Sequence, residues 1–244
     1  MVSILKSVGK KVIKSVLPTD LQQWIRVERR NLPHRVEPFR RSFGLGYGQC
    51  IDRYYIERFL SQHSKDIYGH VLELQDNTYT CRFGGSRVEK SDVLDIRPGH
   101  PGATITADLS KPTSIPSDTF NCIILTQTLP FIYDVRAAVA EVHRLLKPGG
   151  VVLATLPGIA QIARYGMDRW GDYWRFTTLS AQKLFAEMFP SESLELEAHG
   201  NVLAAVGLLH GLVAEELSPE QLNYRDRDYE VTITVRAMKP DPRT

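Results

Sequence analysis

Residues 119–157 constrain the fold more than any other part of the chain, because two apolar runs flank a segment with helical periodicity. The runs are Phe120–Leu125 and Val151–Pro157. Between them, apolar residues recur at helical spacing at Val135, Ala138, Val139, Val142, Leu145 and Leu146. Unbroken apolar runs are typical of strands that a parallel sheet buries on both faces. The pattern predicts a strand-helix-strand crossover, in which Pro148 ends the helix and the two following glycines turn the chain back into the sheet.

Three further apolar runs, each with an acidic residue at or near its end, precede this crossover. They are Val71–Leu74 with Glu73, Val93–Ile96 with Asp95, and Thr104–Leu109 with Asp108. Their order predicts a series of strands that belongs to the same sheet as the crossover.

The segment from Glu141 to Gly150 contains Arg-Leu-Leu-Lys-Pro-Gly-Gly. It resembles a phrase that recurs after the fourth strand of class I S-adenosylmethionine-dependent methyltransferases. Taken alone, Leu-Lys-Pro-Gly-Gly is also a common helix end. With the upstream strands, the resemblance covers roughly residues 68–238. It implies an α/β fold, with a Rossmann-like, seven-stranded, mostly parallel sheet and helices on both faces.

Length and composition allow one domain with an extension. The chain has 244 residues, 43% of them hydrophobic, which suffices for one packed core. We expect a basic helical N-terminal extension at 1–60, a class I methyltransferase domain at 61–239 and a tail at 240–244. The three cysteines show neither pairing nor metal-ligand spacing, so we expect no metal site and a reducing compartment. No apolar run approaches the roughly 20 residues of a membrane span, which predicts a cytoplasmic protein.

The N-terminal extension carries most of the positive charge. Residues 1–60 contain 12 Lys or Arg and 5 Asp or Glu, whereas the whole chain has a net charge of only +2. Residues 2–17 combine an apolar arc with four lysines opposite it, which predicts an amphipathic helix. One interpretation places this helix peripherally on the inner face of the membrane. The other docks it on its own domain, or on a second copy of the chain in a homo-oligomer.

A second basic block follows the predicted helix. Its arginines are Arg26, Arg29, Arg30, Arg35, Arg40 and Arg41. The segment has no RNA-binding or helix-turn-helix signature, so nucleic acid is not an expected partner. The glycine-rich residues 42–48 follow no strand, and we interpret them as a joint before a helix at about 51–64.

In an open parallel sheet, ligands bind outside the carboxyl ends of the strands. The resemblance implies that S-adenosylmethionine binds there, on Glu73, Leu74, Gln75, Asp95, Asp108, Leu109 and Gln127. The two oxygens of one carboxylate can accept hydrogen bonds from both ribose hydroxyls, the role that the resemblance implies for Asp95. The alternative is that Asp95 and Asp108 are turn acids, because turn residues follow both.

The first loop departs from the family pattern. The family has glycines after the acid of the first strand, whereas here no glycine follows Glu73 before Gly84, and Gln75 stands where one is expected. Asp76 and Asn77 tolerate left-handed backbone conformations better than most residues. The run from Asp76 to Gly85 resembles a bacterial methyltransferase subgroup often associated with glycan biosynthesis. The departure also raises an alternative function, a scaffold that has the fold without the catalytic activity.

The segment 164–178 holds the densest aromatic and charged cluster of the chain. Its Asp-Tyr-Trp-Arg-Phe-Thr phrase resembles the same subgroup, and aromatic planes beside carboxylates suit a sugar. We predict that Tyr165, Arg169 and Tyr173 bind the acceptor, that Trp174 and Phe176 are core residues, and that Thr178 or Ser180 caps the next helix.

A hydroxyl acceptor benefits from a general base, for which the candidates are His199, Asp134 and Asp172. Asp134 also fits the N-cap of the helix that it precedes. The sequence therefore predicts methyl transfer from S-adenosylmethionine to an oxygen of a sugar, a glycan or a related small metabolite.

Overall fold

The computed structural model describes residues 36–242. Its sheet has the strand order β3-β2-β1-β4-β5-β7-β6. Strands β1 to β5 pair in parallel, and β7 is antiparallel to both β5 and β6. The strands are β1 Gly69–Leu74, β2 Val88–Asp95, β3 Ile105–Thr106, β4 Phe120–Thr126, β5 Leu146–Pro157, β6 Leu194–His199 and β7 Thr232–Met238. This topology confirms the predicted seven-stranded, Rossmann-like fold.

Six α-helices connect or cover these strands within the described residues. They are α1 Ile51–Gln62, α2 Val135–Leu145, α3 Arg164–Met167, α4 Thr178–Ala186, α5 Val202–Leu209 and α6 Pro219–Asn223. Helix α1 buries Ile56, Phe59 and Leu60 against β1 and β4. The predicted domain boundary between residues 60 and 61 therefore falls inside a helix that is packed on the sheet.

The two faces of the sheet carry separate hydrophobic cores, and β4 contributes to both. Ile123 and Leu125 pack with α2 and α4 on one face. Cys122 and Ile124 pack with α1 on the other. Successive side chains of a strand point to opposite faces, so this unbroken apolar strand is buried on both sides as predicted. Cys122 is a buried free thiol.

The crossover β4-α2-β5 is present, but its helix ends earlier than predicted. Helix α2 stops at Leu145, because Leu146 is already extended with φ −71° and ψ 137°. Pro148 lies in the first part of β5. Gly149 adopts φ +77° there, a conformation that glycine reaches without strain.

Two strand boundaries also differ from the prediction. Strand β2 begins at Val88 rather than Val93, and its first residues are partly exposed. Their polar side chains conceal this part of the strand in the sequence. Strand β3 is only Ile105–Thr106, because Asp108 already forms a turn with Ser110.

The predicted amphipathic helix at 2–17 lies outside the described residues, as do four of the six arginines of the second basic block. Between residues 36 and 242, no helix is both long enough and apolar enough to cross a membrane.

Candidate active site

Two adjoining cavities open at the carboxyl ends of β1, β2 and β4. The first has a volume of about 280 Å³ and the second about 270 Å³. Residues that line both cavities are Leu74, Gln75, Thr128, Phe131 and Trp170. The strand ends therefore form one elongated site with two compartments, where the topology of an open parallel sheet places a ligand.

Asp95, at the end of β2, lines the second cavity and is 4% exposed. Arg97 holds both of its oxygens. The Arg97 backbone N–H and Nε donate to Oδ1 at 2.7 and 3.0 Å, and Nη2 donates to Oδ2 at 2.9 Å. These hydrogen bonds lower the pKa of Asp95. The Arg97 guanidinium also lies over the Trp170 ring, 5.3 Å from its centroid.

Asp108 and Leu109 lie on the same second cavity. Asp108 Oδ1 accepts hydrogen bonds from the backbone N–H and the hydroxyl of Ser110, at 2.9 and 2.6 Å. Burial opposes ionisation, but the hydrogen bonds from Ser110 and the nearby Lys111 outweigh it and lower the pKa of Asp108. Asp108 thus has the geometry of a turn acid and also faces the cavity, so the two interpretations of this residue are compatible.

The loop after β1 replaces the expected glycine with a strained residue. Gln75 has φ +71°, in the left-handed region that costs most L-residues energy. Its backbone N–H donates to Leu94 O at 3.0 Å. Neither Asp76 nor Asn77 has a positive φ, so the position expected for glycine carries the left-handed turn itself.

Glu73 is buried and stabilises this loop through hydrogen bonds. Its carboxylate accepts hydrogen bonds from the backbone N–H groups of Tyr79 and Thr80, at 3.2 and 2.7 Å, and from the Thr80 hydroxyl at 2.7 Å. Burial raises the pKa of Glu73 even so. Glu73 lines the first cavity, but three donors of its own chain already occupy the carboxylate.

Gln127, after β4, lines the first cavity and has an unpaired buried donor. Its backbone has φ +48°, and its N–H donates to Thr155 O at 2.9 Å. The Nε2 atom of its side chain is buried and has no hydrogen-bond partner among the described residues. Because an unpaired buried donor is costly, a ligand oxygen at this position would satisfy it.

The three candidate bases lie in different environments. Asp172 lines the first cavity and its side chain is 1% exposed, but both its oxygens accept from Arg175, at 2.6 and 2.9 Å. Burial disfavours its ionised form, but the hydrogen bonds from Arg175 and the Ala163 N–H outweigh this and lower the pKa of Asp172. Asp134 caps α2 by accepting from the Ala137 N–H at 3.0 Å.

His199 is not in either of the two cavities. It lines a separate small cavity of about 20 Å³ with Tyr55 and Arg58. Its ring stacks on Tyr55 at 5.5 Å, and Nε2 lies 3.1 Å from the Thr234 hydroxyl. Burial lowers the pKa of His199 to about 4. As the last residue of β6, it pairs with Thr232, which lines the first cavity, but His199 itself lines only the small cavity.

The aromatic segment is divided between the two compartments. Tyr165 is exposed and lines the first cavity, and the Arg169 guanidinium lies 3.6 Å from the centroid of its ring. Arg169 itself lines neither cavity. Tyr173 lines the second cavity, where its ring packs edge-on against Tyr133 at 5.3 Å. The structure therefore separates Tyr173 from the two residues with which it was predicted to bind the acceptor.

The remaining predictions for this segment have mixed outcomes. Phe176 is buried in the core as predicted. Trp174 is 36% exposed, and its Nε1 donates to the carbonyl oxygen of Ile132, so the prediction that it is a core residue is wrong. The cap of α4 is Thr177, which exchanges hydrogen bonds with Ser180. Neither predicted residue is the N-cap, because the helix begins at Thr178, one residue earlier than a cap at Thr178 requires and three residues earlier than a cap at Ser180 requires.

Sequence reasoning missed two charged residues of the first cavity. Asp52 and Arg53 lie in the first turn of α1 and line this cavity. Burial raises the pKa of Asp52. The sequence signal for these residues is a pair of opposite charges directly after Ile51, at the start of a helix whose other face is apolar. It does not point to the site, because the pair precedes the first strand by more than a dozen positions.

The residues of the two cavities fit S-adenosylmethionine. Its adenosine part matches the second cavity, where Asp95, Asp108 and Leu109 line the wall. The first cavity offers the orphaned Gln127 amide. Gln75 adopts a positive φ, a conformation that glycine reaches without strain. The fit requires Arg97 to release part of its hold on Asp95.

Comparisons with known proteins agree with this geometry. Residues 61–154 match the family model described as a methyltransferase domain. No curated protein matches the sequence.

Three solved structures share the fold. An S-adenosylmethionine-dependent methyltransferase from Archaeoglobus fulgidus is 8% identical, with a TM-score of 0.52 over 77% of this chain and 94% of that chain. One from Mesorhizobium loti is 17% identical, with a TM-score of 0.52 over 77% and 97%. The N-methyltransferase NodS from Bradyrhizobium japonicum, in complex with S-adenosylhomocysteine, is 13% identical, with a TM-score of 0.51 over 90% and 99%.

At these identities the structural matches establish the fold. The match to the methyltransferase domain model covers residues 61–154 of this fold.

Proposed function

We propose that this chain transfers the methyl group of S-adenosylmethionine to an oxygen of a sugar, a glycan or a related small metabolite. The observation that carries the proposal is the pair of joined cavities at the strand ends. The second compartment suits the adenosine of the donor, which leaves the first for the methyl-bearing end and the acceptor. The resemblance of the Asp172–Thr177 phrase to glycan-associated methyltransferases supports a sugar.

The lining of the first cavity favours a neutral, hydroxyl-bearing acceptor. Tyr165 and Trp170 present aromatic rings, which suit the apolar faces of a sugar. The Gln127 amide offers a donor to a hydroxyl oxygen. Glu73 and Asp172 each already accept three hydrogen bonds from their own chain. They are therefore poor partners for the ammonium group of an amine acceptor.

When bound, S-adenosylmethionine would supply a methyl group on a sulfonium for in-line displacement by the acceptor oxygen, with S-adenosylhomocysteine as the leaving group and the hydroxyl proton passing to water. Alignment of donor and acceptor can provide a large part of the rate acceleration in such a reaction. Asp172 contributes by tying Arg175 and the Ala163 N–H together beneath the aromatic segment. Because its pKa is lowered, we assign it this anchoring role rather than proton abstraction.

The acceptor class can be tested with radiolabelled S-adenosylmethionine and two panels of acceptors. One panel contains methyl hexopyranosides and the other contains primary amines of similar size. The proposal predicts that label appears in glycosides. It also predicts that kcat/KM for glycosides is lower in Tyr165→Ala than in the control Arg136→Ala, which changes an exposed residue on α2. Label in amines alone would contradict the oxygen acceptor. Cofactor binding without transfer to either panel would favour the scaffold.

A further inference from the structure

The first turn of α1 brings a carboxylate and a guanidinium to the wall of the first cavity. Asp52 and Arg53 are both partly buried there. Asp52 Oδ1 accepts from the Arg53 backbone N–H at 2.8 Å. The Arg53 guanidinium donates from Nη1 to the Tyr79 hydroxyl at 3.1 Å, and no other acceptor among the described residues contacts it. The two side chains therefore keep unused hydrogen-bonding capacity next to the cavity.

Two arginines among the described residues line this cavity, and Arg53 is the one that retains free donors. The other lining arginine is Arg175, which donates to Asp172 and to the carbonyl oxygens of Ala160, Gln161 and Trp174. Five N–H groups are the full capacity of a guanidinium. Arg175 has no capacity left for a ligand, whereas Arg53 has used one donor.

The carboxylates of the cavity also differ in burial and in the number of hydrogen bonds that they already accept. Glu73 and Asp172 each accept three hydrogen bonds from the described chain. Asp76 is exposed to solvent. Asp52 is partly buried and accepts one hydrogen bond. Burial also raises the pKa of Asp52, and a poorly solvated carboxylate gains more from a cationic ligand than a hydrated one does.

We infer that Asp52 and Arg53 form a subsite for a zwitterionic amino-acid group, in which Arg53 binds the carboxylate and Asp52 binds the ammonium. In the reaction proposed above, on which this inference rests, that group is the methionine end of the donor. Glu73 is less suited to this group, because the loop after β1 already donates three hydrogen bonds to its carboxylate. A guanidinium fork matches a carboxylate through two parallel hydrogen bonds.

Calorimetry with two ligands tests the subsite without any acceptor. S-adenosylhomocysteine carries the amino-acid group, whereas 5′-methylthioadenosine has the adenosine and the sulfur but neither charge. We expect Asp52→Asn and Arg53→Met each to weaken S-adenosylhomocysteine binding by about tenfold or more, the usual effect of losing a charge-assisted hydrogen bond. Binding of 5′-methylthioadenosine should be unchanged. Arg53→Lys keeps the charge and should lose less affinity than Arg53→Met.

Arg58→Met is the matched control, because Arg58 lies on the same helix but lines the small cavity with His199. It should leave both affinities unchanged. The subsite is overturned if Asp52→Asn and Arg53→Met both keep the wild-type ratio of S-adenosylhomocysteine affinity to 5′-methylthioadenosine affinity. This holds even if both affinities fall, because an equal loss for the two ligands indicates a structural role. Asp52→Asn preserves shape and keeps the test decisive if Arg53→Met does not fold. A wild-type protein that binds neither ligand overturns the proposed function itself.

Discussion

At the scale of single residues, Gln75 shows how the first loop works without the glycines of the family pattern. Its φ of +71° is the conformation for which glycine has no steric cost. The side chain is exposed, so nothing in the packing requires glutamine. The sequence shows that position 75 is where the family has a glycine. It could not show that Gln75 would adopt the left-handed conformation there despite the strain.

Gln75→Gly is expected to leave the free energy of unfolding unchanged or to raise it by up to about 1 kcal/mol, because relief of the left-handed strain offsets the added chain entropy. Asp76→Gly is the matched control in the same loop. Since Asp76 has no positive φ and its carboxylate accepts from the Thr78 N–H, this change should lower the free energy by about 1 kcal/mol. Urea denaturation measures both. Equal destabilisation by the two glycines would contradict the strain at Gln75.

Arg97 competes with the ribose for Asp95. A carboxylate has about four acceptor positions, and Arg97 fills three of those of Asp95. Two ribose hydroxyls therefore need Arg97 to withdraw at least one donor. We expect Asp95→Ala to weaken S-adenosylhomocysteine binding by about 1.5 to 3 kcal/mol. Arg97→Met should strengthen it, because the change removes the two side-chain donors to Asp95 and leaves only the backbone N–H.

Calorimetry on the two variants measures both effects. Weaker binding in a folded Arg97→Met protein would show that Arg97 supports the donor instead of competing with it. Unchanged binding in Asp95→Ala would remove Asp95 from the site.

At the scale of elements, the aromatic segment after β5 serves both compartments rather than the acceptor alone. Tyr173 lines the second cavity with Tyr133, and Tyr165 lines the first. From the sequence, both tyrosines were assigned to the acceptor because they share one segment. The difference arises from the hydrogen bond of the Tyr173 N–H to Pro130 O at 2.8 Å, which draws this residue towards the loop after β4.

Tyr173→Ala is accordingly expected to weaken S-adenosylhomocysteine binding by about 1 kcal/mol, because it removes aromatic surface from the adenosine compartment. Tyr165→Ala should leave this affinity unchanged and lower only the turnover of the acceptor. Calorimetry on both variants, with melting temperatures as a check on folding, separates the two roles. The same loss of affinity in both would contradict the division of the segment.

The crossover β4-α2-β5 could be predicted because unbroken apolar runs and a helical apolar stripe are properties of local sequence. The position of His199 could not. Its strand was recognised, but the side chain stacks on Tyr55 of α1, which lies far away in sequence. Asp52 and Arg53 were missed for the same reason, since only the packing of α1 on the sheet brings them to the first cavity. Capping of α4 by Thr177 depends on where the preceding extended segment ends.

At the scale of the whole molecule, His199 couples stability to pH. Burial lowers its pKa from 6.5 to about 4, so the unfolded chain binds a proton between these values and the folded protein does not. The contribution of neutral His199 to the free energy of unfolding is complete above about pH 6.5 and is lost as the pH falls towards 4. We expect the free energy of unfolding to fall by up to about 1.4 kcal/mol per pH unit in this window from His199 alone.

Chemical denaturation from pH 7 to pH 4 measures this slope. His199→Gln should have a shallower slope than the wild type over the same window, whatever its stability at pH 7. Identical slopes in the two proteins would show that folding does not lower the pKa of His199.

Binding of S-adenosylhomocysteine to the full chain is the decisive measurement. We expect the joined cavities at the strand ends to hold the donor although the first loop lacks glycine before Gly84. Isothermal titration calorimetry should give a saturable isotherm for a single site, and the ligand should raise the melting temperature through its preference for the folded state. An absence of both binding heat and a shift in melting temperature at millimolar ligand would contradict the account.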